Sequence, residues 1–350
     1  MPRAVSLAVM GASIAAFASQ VSLRNFIIKW SGISAPGGVW RIIAILFALA
    51  NLKNLPFVWH MRFFRAFIYH LYLQPTPIPP HALFQPVISS SRTPILEMDY
   101  NLHKSNSTYF SDMDISRTHL FTAIIRNAIR KNSRLYGGSK HEYIANSIDG
   151  MGATSGTRGK HMIALGGISC LFKKEILPYH KYEMWTRLLT WDRKWFYLVT
   201  HIVKPGVARP KSFTLQPWRT GKKTGSKEDE GNIRERLKGV VFATALAKYV
   251  IKKGKITVPP EQALFDADMV PAKPADWVHK GDVTAVANGD VELVLPEKMV
   301  ESGEWNWDII ERERLRGLRF AERFAELDGL HEIFDGGREG VLGEYPDLLF

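Results

Sequence analysis

Cysteine is almost missing from this sequence: Cys170 stands alone among 350 residues. An internal disulfide and a cysteine-rich metal cluster are thereby excluded, and a reducing compartment suits the folded part. Acidic residues are missing from the first 96 positions, which carry Arg3, Arg24, Lys29, Arg41, Lys53, Arg62, Arg65 and Arg92. The rest of the chain therefore holds only +4 of the net +12. The neighbours of these cations are apolar and aromatic, which suits an anionic lipid surface better than a phosphate backbone, so no nucleic-acid partner is expected.

Complete nucleotide and zinc motifs are lacking too. Gly152 to Lys160 ends in Gly-Lys, but the first glycine of a P-loop would fall on Thr154, and His161 replaces the Ser or Thr that holds magnesium. His141-Glu142 and His331-Glu332 each lack the second histidine of a zinc helix, so neither a metal nor a cofactor is expected. No internal repeat marks a second copy of a domain.

Long uncharged runs are few. Ala4–Leu23 has about the length of a membrane span, though its Ala, Ser and Gly make it only moderately hydrophobic. Ile42–Leu52 is shorter and is interrupted by Lys53 and Pro56, which leaves a re-entrant or interfacial helix as open as a second span. Phe57–Leu73 mixes Trp59, Phe63, Phe64, Phe67, Tyr69 and Tyr72 with Arg62 and Arg65, a pattern for a helix at headgroup level. Residues 1–73 are therefore expected to be a membrane anchor with interfacial helices. The cations following the first run place its C-terminal side in the cytosol, and an endoplasmic reticulum membrane fits. A cleaved secretory signal or a mitochondrial presequence are the alternatives.

Pro75, Pro77, Pro79, Pro80 and Pro86 make residues 74–86 an extended spacer and mark a boundary. Beyond it, residues 87–253 read as one α+β domain. A short extended run ends near Asp99, and a long helical pattern covers about Asn106 to Lys131. Strand-like runs follow at His161–Phe172, Tyr182–Leu189, Trp195–Val203 and Val240–Val250. The order predicts a central helix wrapped by an antiparallel sheet. Gly137–Lys160 is an insertion, and Lys204–Asn232 a polar loop with Arg219, Lys222 and Lys223. Residues 254–350 form an extension whose Trp305–Leu327 stretch, alternating Glu and Arg, predicts a salt-bridged surface helix with an apolar side.

The segment Glu97-Met-Asp99-Tyr-Asn-Leu-His103-Lys-Ser105-Asn106-Ser-Thr-Tyr109 concentrates polar groups at a strand-to-helix junction. Ser105 or Asn106 suits the N-cap, which would aim backbone N–H groups and the positive end of the helix dipole out of the junction. Asp99, just upstream, can address the same point. A carboxylate beside such a helix start supplies a base or nucleophile together with an oxyanion stabiliser.

Asp99, His103, Asn106 and Tyr109 at these intervals resemble the helix start in 4-hydroxybenzoyl-CoA thioesterase-like families, and more nearly the thioesterase superfamily member 6-like group with its fungal relatives. Leu177 to Tyr197, with Trp191-Asp192 at a turn, looks like that group's adjoining strand pair. The resemblance covers about Val87–Val250. Ser105-Asn106 stands where relatives tend to have paired asparagines, and the insertion Gly137–Lys160 is longer than usual. The resemblance implies a hotdog fold, a homodimer, and hydrolysis of an acyl-CoA or acyl-carrier-protein thioester. Asp99 would then be nucleophile or general base. His103 would bond Asp99 or substrate, and Asn106 would orient water or merely cap. Tyr109 and Ser105 would line the substrate site. Arg219, Lys222 and Lys223 read first as a solvated basic loop, with contact to phosphates of the carrier as the alternative. A hotdog dehydratase is the alternative, although it usually places four residues between its Asp and His, and Asp99 and His103 have three. A non-catalytic lipid-binding hotdog protein is the other.

Overall fold

The computed structural model describes residues 36–137, 161–219 apart from 207–209 and 211, 239–278 apart from 275, and 305–333, with isolated positions at 25, 26, 28, 29, 32, 342, 344 and 345. Helix α1 is Gly38–Ala50 and α2 is Val58–Ile68, continued by a π-helical turn at Tyr69–Leu73. Strand β1, Val87–Arg92, precedes the long helix α3, Thr108–Gly137. Strands β2 (His161–Phe172), β3 (Lys181–Trp191), β4 (Phe196–Val203), β5 (Val241–Lys253) and β6 (Ile256–Val258) follow. Helices α4 (Pro260–Asp266) and α5 (Trp307–Ala325) come last.

Among the described residues the strands form one antiparallel sheet in the order β1-β3-β4-β5-β2, with β6 on β5. The central helix and wrapped sheet are the expected hotdog arrangement. Alternation along β3 makes it work: Tyr182, Met184, Thr186 and Leu188 are buried while Glu183, Trp185, Arg187 and Leu189 between and after them are only half-buried. Leu120, Phe121, Ile124 and Ile125 of α3 share one core with Leu188, Trp191, Phe196 and Leu198. A smaller cluster joins Tyr109 and Met113 to Tyr182, Met184 and Ile202. Each such fully buried side chain contributes about 1.5–3 kcal/mol. Between the clusters Ser116, Thr186 and Thr200 pair their hydroxyls at 2.8 and 3.0 Å, so the helix-to-sheet seam buries no orphan hydroxyl there.

Several expectations need amendment. The proline-rich segment 74–86 carries Leu83 and Phe84 into the main core, where Phe84 stacks on Trp191 at 5.9 Å. It is also tied by Gln74 to the Leu215 carbonyl at 2.7 Å and by Gln85, which accepts from Thr214 at 2.7 Å. Strand β1 stops at Arg92, because a 3-10 turn at Ile95–Glu97 intervenes before Asp99. The long helix opens at Thr108, since Ser105 turns its carbonyl onto the Thr108 N–H at 3.0 Å and the Thr108 hydroxyl at 2.7 Å. Among the described residues no helix is long and apolar enough to cross a membrane; Ala4–Leu23 lies outside them, as do insertion residues 138–160.

Helix α2 and the π-helical turn after it pack on α3, burying Ala66, His70 and Leu71, with His70 Nε2 2.9 Å from His119 Nδ1. The extension covers the sheet's other face. Thr190 donates to the Arg314 carbonyl at 2.7 Å, and Arg314 donates to the Trp191 carbonyl at 3.0 Å. Gly317 sits where an added Cβ would meet the Leu189 carbonyl oxygen at 2.4 Å and Thr190 Cβ at 2.8 Å, so only glycine allows this approach of α5 to β3. Gly317→Val should therefore destabilise the fold by about 1–3 kcal/mol of overpacking, read as a lowered Tm. An unchanged Tm would mean that α5 does not seat on β3.

Candidate active site

Asp99 sits on a tight loop closed by the bridge between Met98 and Lys104. Its N–H donates to the His103 carbonyl at 2.9 Å, and its Oδ1 accepts from the Asn101 N–H at 2.9 Å and, longer, the His103 N–H at 3.4 Å. An Asx turn of this kind holds the carboxylate in one place. Leu102, inside the loop, has a φ of 61°. His103 thus bonds Asp99 through its backbone, whereas its ring faces Glu175, with Nε2 3.5 Å from a carboxylate oxygen.

Tyr109, on the first turn of α3, is buried with its ring edge-on to Phe172 at 5.1 Å. Burial raises its phenol pKa, with nearby Cys170, Asp99 and Glu175 adding in the same direction. The phenol stays neutral and shares the neighbourhood of the Asp99 carboxylate. Burial also pushes the Cys170 thiol up to about 11, against a smaller opposite pull from Arg117, so it is not a thiolate nucleophile at neutral pH. Asn106 is exposed, and Ser105 Oγ pairs with Ser107 Oγ at 3.1 Å. With the helix opening at Thr108, neither Ser105 nor Asn106 stands at the position directly before it, where the N-cap was expected. The structure thus brings Asp99, His103 and Tyr109 together. Arg219 is exposed and stacks on Phe213 at 4.4 Å, on the segment tied to Gln74 and Gln85; Lys222 and Lys223 lie outside the described residues.

Both ends of the Asp99 loop are fixed by a cluster that sequence reasoning missed. Asp112, fully buried, receives Lys53 at 2.7 Å, Arg62 at 2.8 Å, Lys104 at 3.2 Å, Ser91 at 3.3 Å and the Tyr182 hydroxyl. Glu97 takes Lys104 at 2.5 Å and Lys53 at 2.8 Å. Glu97 precedes the loop and Lys104 closes it, so one ion pair clamps the loop at its base, helped by the Ser105 N–H on the Glu97 carbonyl at 2.8 Å. Burial alone would raise the Asp112 carboxyl, but Lys53 and Lys104 overcome it and hold the group well below the usual carboxylate range. Burial pulls the Lys53 ammonium down, and Asp112 and Glu97 only partly offset this. The missed signal was Asp112 itself, three residues after Tyr109 and four before Ser116, hence on the core-facing stripe of α3.

Residues 93–225 match the thioesterase-like superfamily. The chain is 34% identical over 312 residues to the probable thioesterase atnL of Emericella nidulans, covering 87% of this chain and 91% of that protein. It is 32% identical over 323 residues to the thioesterase poxG of Penicillium oxalicum, covering 87% and 92%. The chain belongs to the thioesterase-like superfamily. It is a thioester hydrolase by class. Superposed on the solved 1,4-dihydroxy-2-naphthoyl-CoA thioesterase from Synechocystis, it gives a TM-score of 0.30 at 7% identity over 52% of this chain and 94% of that one.

In this thioesterase-superfamily chain the clamp makes the site acid-sensitive. Asp112 is depressed in the folded state, so its stabilising contribution is complete above about pH 4 and is lost as pH falls below that range. His70 and His119 are lowered to about 3 and about 4, in each case first by burial, then by His119 and Arg126 for the former and by Arg65 and Arg62 for the latter. The unfolded chain takes up these protons first, so stability drops from about pH 6.5 downward. Tm should decline steadily between pH 6.5 and 4.5; a flat profile would contradict the buried pair. Asp112→Ala strands Lys53 and Lys104 together and should cost about 3–5 kcal/mol in chemical denaturation at pH 7.

Proposed function

We propose that this chain hydrolyses an acyl thioester carried on coenzyme A or an acyl carrier protein, with Asp99 as the reacting carboxylate. The observation that carries the reading is the Asp99 loop, clamped at its base by Glu97 and Lys104 and set directly before the first turn of α3. The carbonyl oxygen would face the N–H groups and positive dipole end of that turn. Acting as base, Asp99 takes a proton from water as oxygen bonds to the carbonyl carbon, and returns it to the sulfur as the C–S bond breaks. Acting as nucleophile, it displaces the thiolate and forms an anhydride that water then opens. Either course turns R–CO–S–R′ and water into a carboxylic acid and a free thiol.

A homodimer completes the proposal. Strand β2 is an edge of the sheet among the described residues, pairing with β5, and it exposes Met162, Leu165, Leu171 and Phe172. A long apolar edge is a pairing surface, and a second copy offers an identical one. Leu165→Lys should shift the mass seen by light scattering from dimer to monomer; an unaltered mass would place the contact elsewhere.

Asp99→Asn preserves the Oδ1 acceptor that the Asn101 and His103 N–H groups use, so the loop should keep its shape while losing its charge. Thiol release from acyl-CoA should drop by about a hundredfold or more. His103→Ala should have a smaller effect, since its bonds to Asp99 are backbone bonds. Near-normal turnover by Asp99→Asn would remove the assignment, and a greater loss at His103 would reverse the roles.

A further inference from the structure

Helix α1 buries only Gly38. Trp40 is 74% exposed and Leu46 59%, and Val39, Ile43, Phe47 and Leu49 extend the apolar surface around most of its circumference. A helix that packs on protein needs one apolar stripe, whereas one apolar nearly all round needs apolar solvent. At 13 residues it is about 20 Å long, too short for a hydrocarbon core of about 30 Å. Helix α2 adds exposed Met61, Phe64 and Ile68 beside the face that packs on α3. The exposed charges here, Arg41 and Arg65, are cations, and no acidic residue precedes Glu97.

This surface continues into the active site. Buried Asn51, just past α1, donates to the Phe47 carbonyl and accepts from the Leu96 N–H, each at 2.9 Å. Ile95 and Leu96 are exposed at that junction, and the Asp99 loop then presents Tyr100, 93% exposed, and Leu102, 65% exposed. Lys53 ties the same junction to Glu97 and Asp112, so helix, junction and loop are held as one piece.

We infer that α1, the outer face of α2 and the Asp99 loop form a single platform that lies in one leaflet of an anionic bilayer and opens the active site at the lipid surface. The substrate class is then an acyl thioester whose chain is dissolved in that bilayer, drawn sideways into the site. Depth of insertion stands independently of the hydrolase reading, whereas the substrate class rests on it. Apolar side chains supply the insertion energy, and Arg41 and Arg65 meet anionic headgroups.

The test uses the full chain with Cys170→Ser, labelled with an environment-sensitive dye at Leu46→Cys, Leu102→Cys or Glu322→Cys. Vesicles of phosphatidylcholine and phosphatidylserine carrying a doxyl quencher should quench positions 46 and 102 and spare 322. In unlabelled protein, Trp40→Glu with Leu46→Glu should slow hydrolysis of a palmitoyl thioester embedded in those vesicles by about tenfold or more, since a charge moved toward the apolar zone costs above the roughly 1.4 kcal/mol that tenfold represents. Turnover of a water-soluble short-chain thioester should stay unchanged. A label at 102 that remains in water, whether a second copy or another segment covers α1, overturns the proposal. Equal loss on both substrates does so as well. Quenching at 46 and 102 with no turnover of either substrate would remove the hydrolase reading and leave the platform standing.

Discussion

Asp112 can be buried as a carboxylate only because cations converge on it from separate parts of the chain. Lys53 arrives from the turn after α1 and Arg62 from α2, Lys104 from the Asp99 loop, and Tyr182 and Ser91 from the sheet. Taking ions out of water costs several kcal/mol apiece, and mutual attraction roughly repays it. The cluster is therefore a poor source of net stability. Its effect is on which segments meet: remove any cation and a charge is left buried without its full set of partners. The three cations and two carboxylates leave one positive charge in excess, next to the loop that carries the Asp99 carboxylate.

The same arrangement holds the Asp99 carboxylate in place. An Asp before a helix is commonly no more than a cap, and here Asp99 does bond its own loop. What distinguishes it is that the loop cannot easily relax, since Glu97 and Lys104 are joined to each other and Lys104 also to Asp112 near the start of α3. Preorganisation of this kind is what a site for acyl transfer demands, because donors and carboxylate must already be in position when charge develops on the carbonyl oxygen.

Much of the fold was legible from periodicity. Strand β2 spans the predicted His161–Phe172; β3 runs past its predicted stretch at both ends, β5 past its C-terminal end, and β4 begins one residue late. The position of Asp99 and Tyr109 was legible from the junction between patterns. The start of α3 was not, because Ser105, Asn106, Ser107 and Thr108 all suit a helix start, and the choice among them falls to the carbonyl of Ser105. Nor was the role of residues 74–86: prolines announce an extended chain, but whether such a chain is solvated depends on Leu83 and Phe84 finding Trp191 and α3. The Asp112 cluster was the least legible, since its partners lie 50 and 59 residues upstream and ionic contacts leave no period in a sequence.

The left-handed backbone of Leu102 has a consequence of its own. A non-glycine residue at a φ of 61° pays about 1–2 kcal/mol that glycine would not, and a β-turn loop of this size accepts glycine readily. The leucine side chain is 65% exposed and belongs to none of the buried clusters. On the proposed platform this exposed leucine meets lipid, and the strain of its backbone is set against that contact.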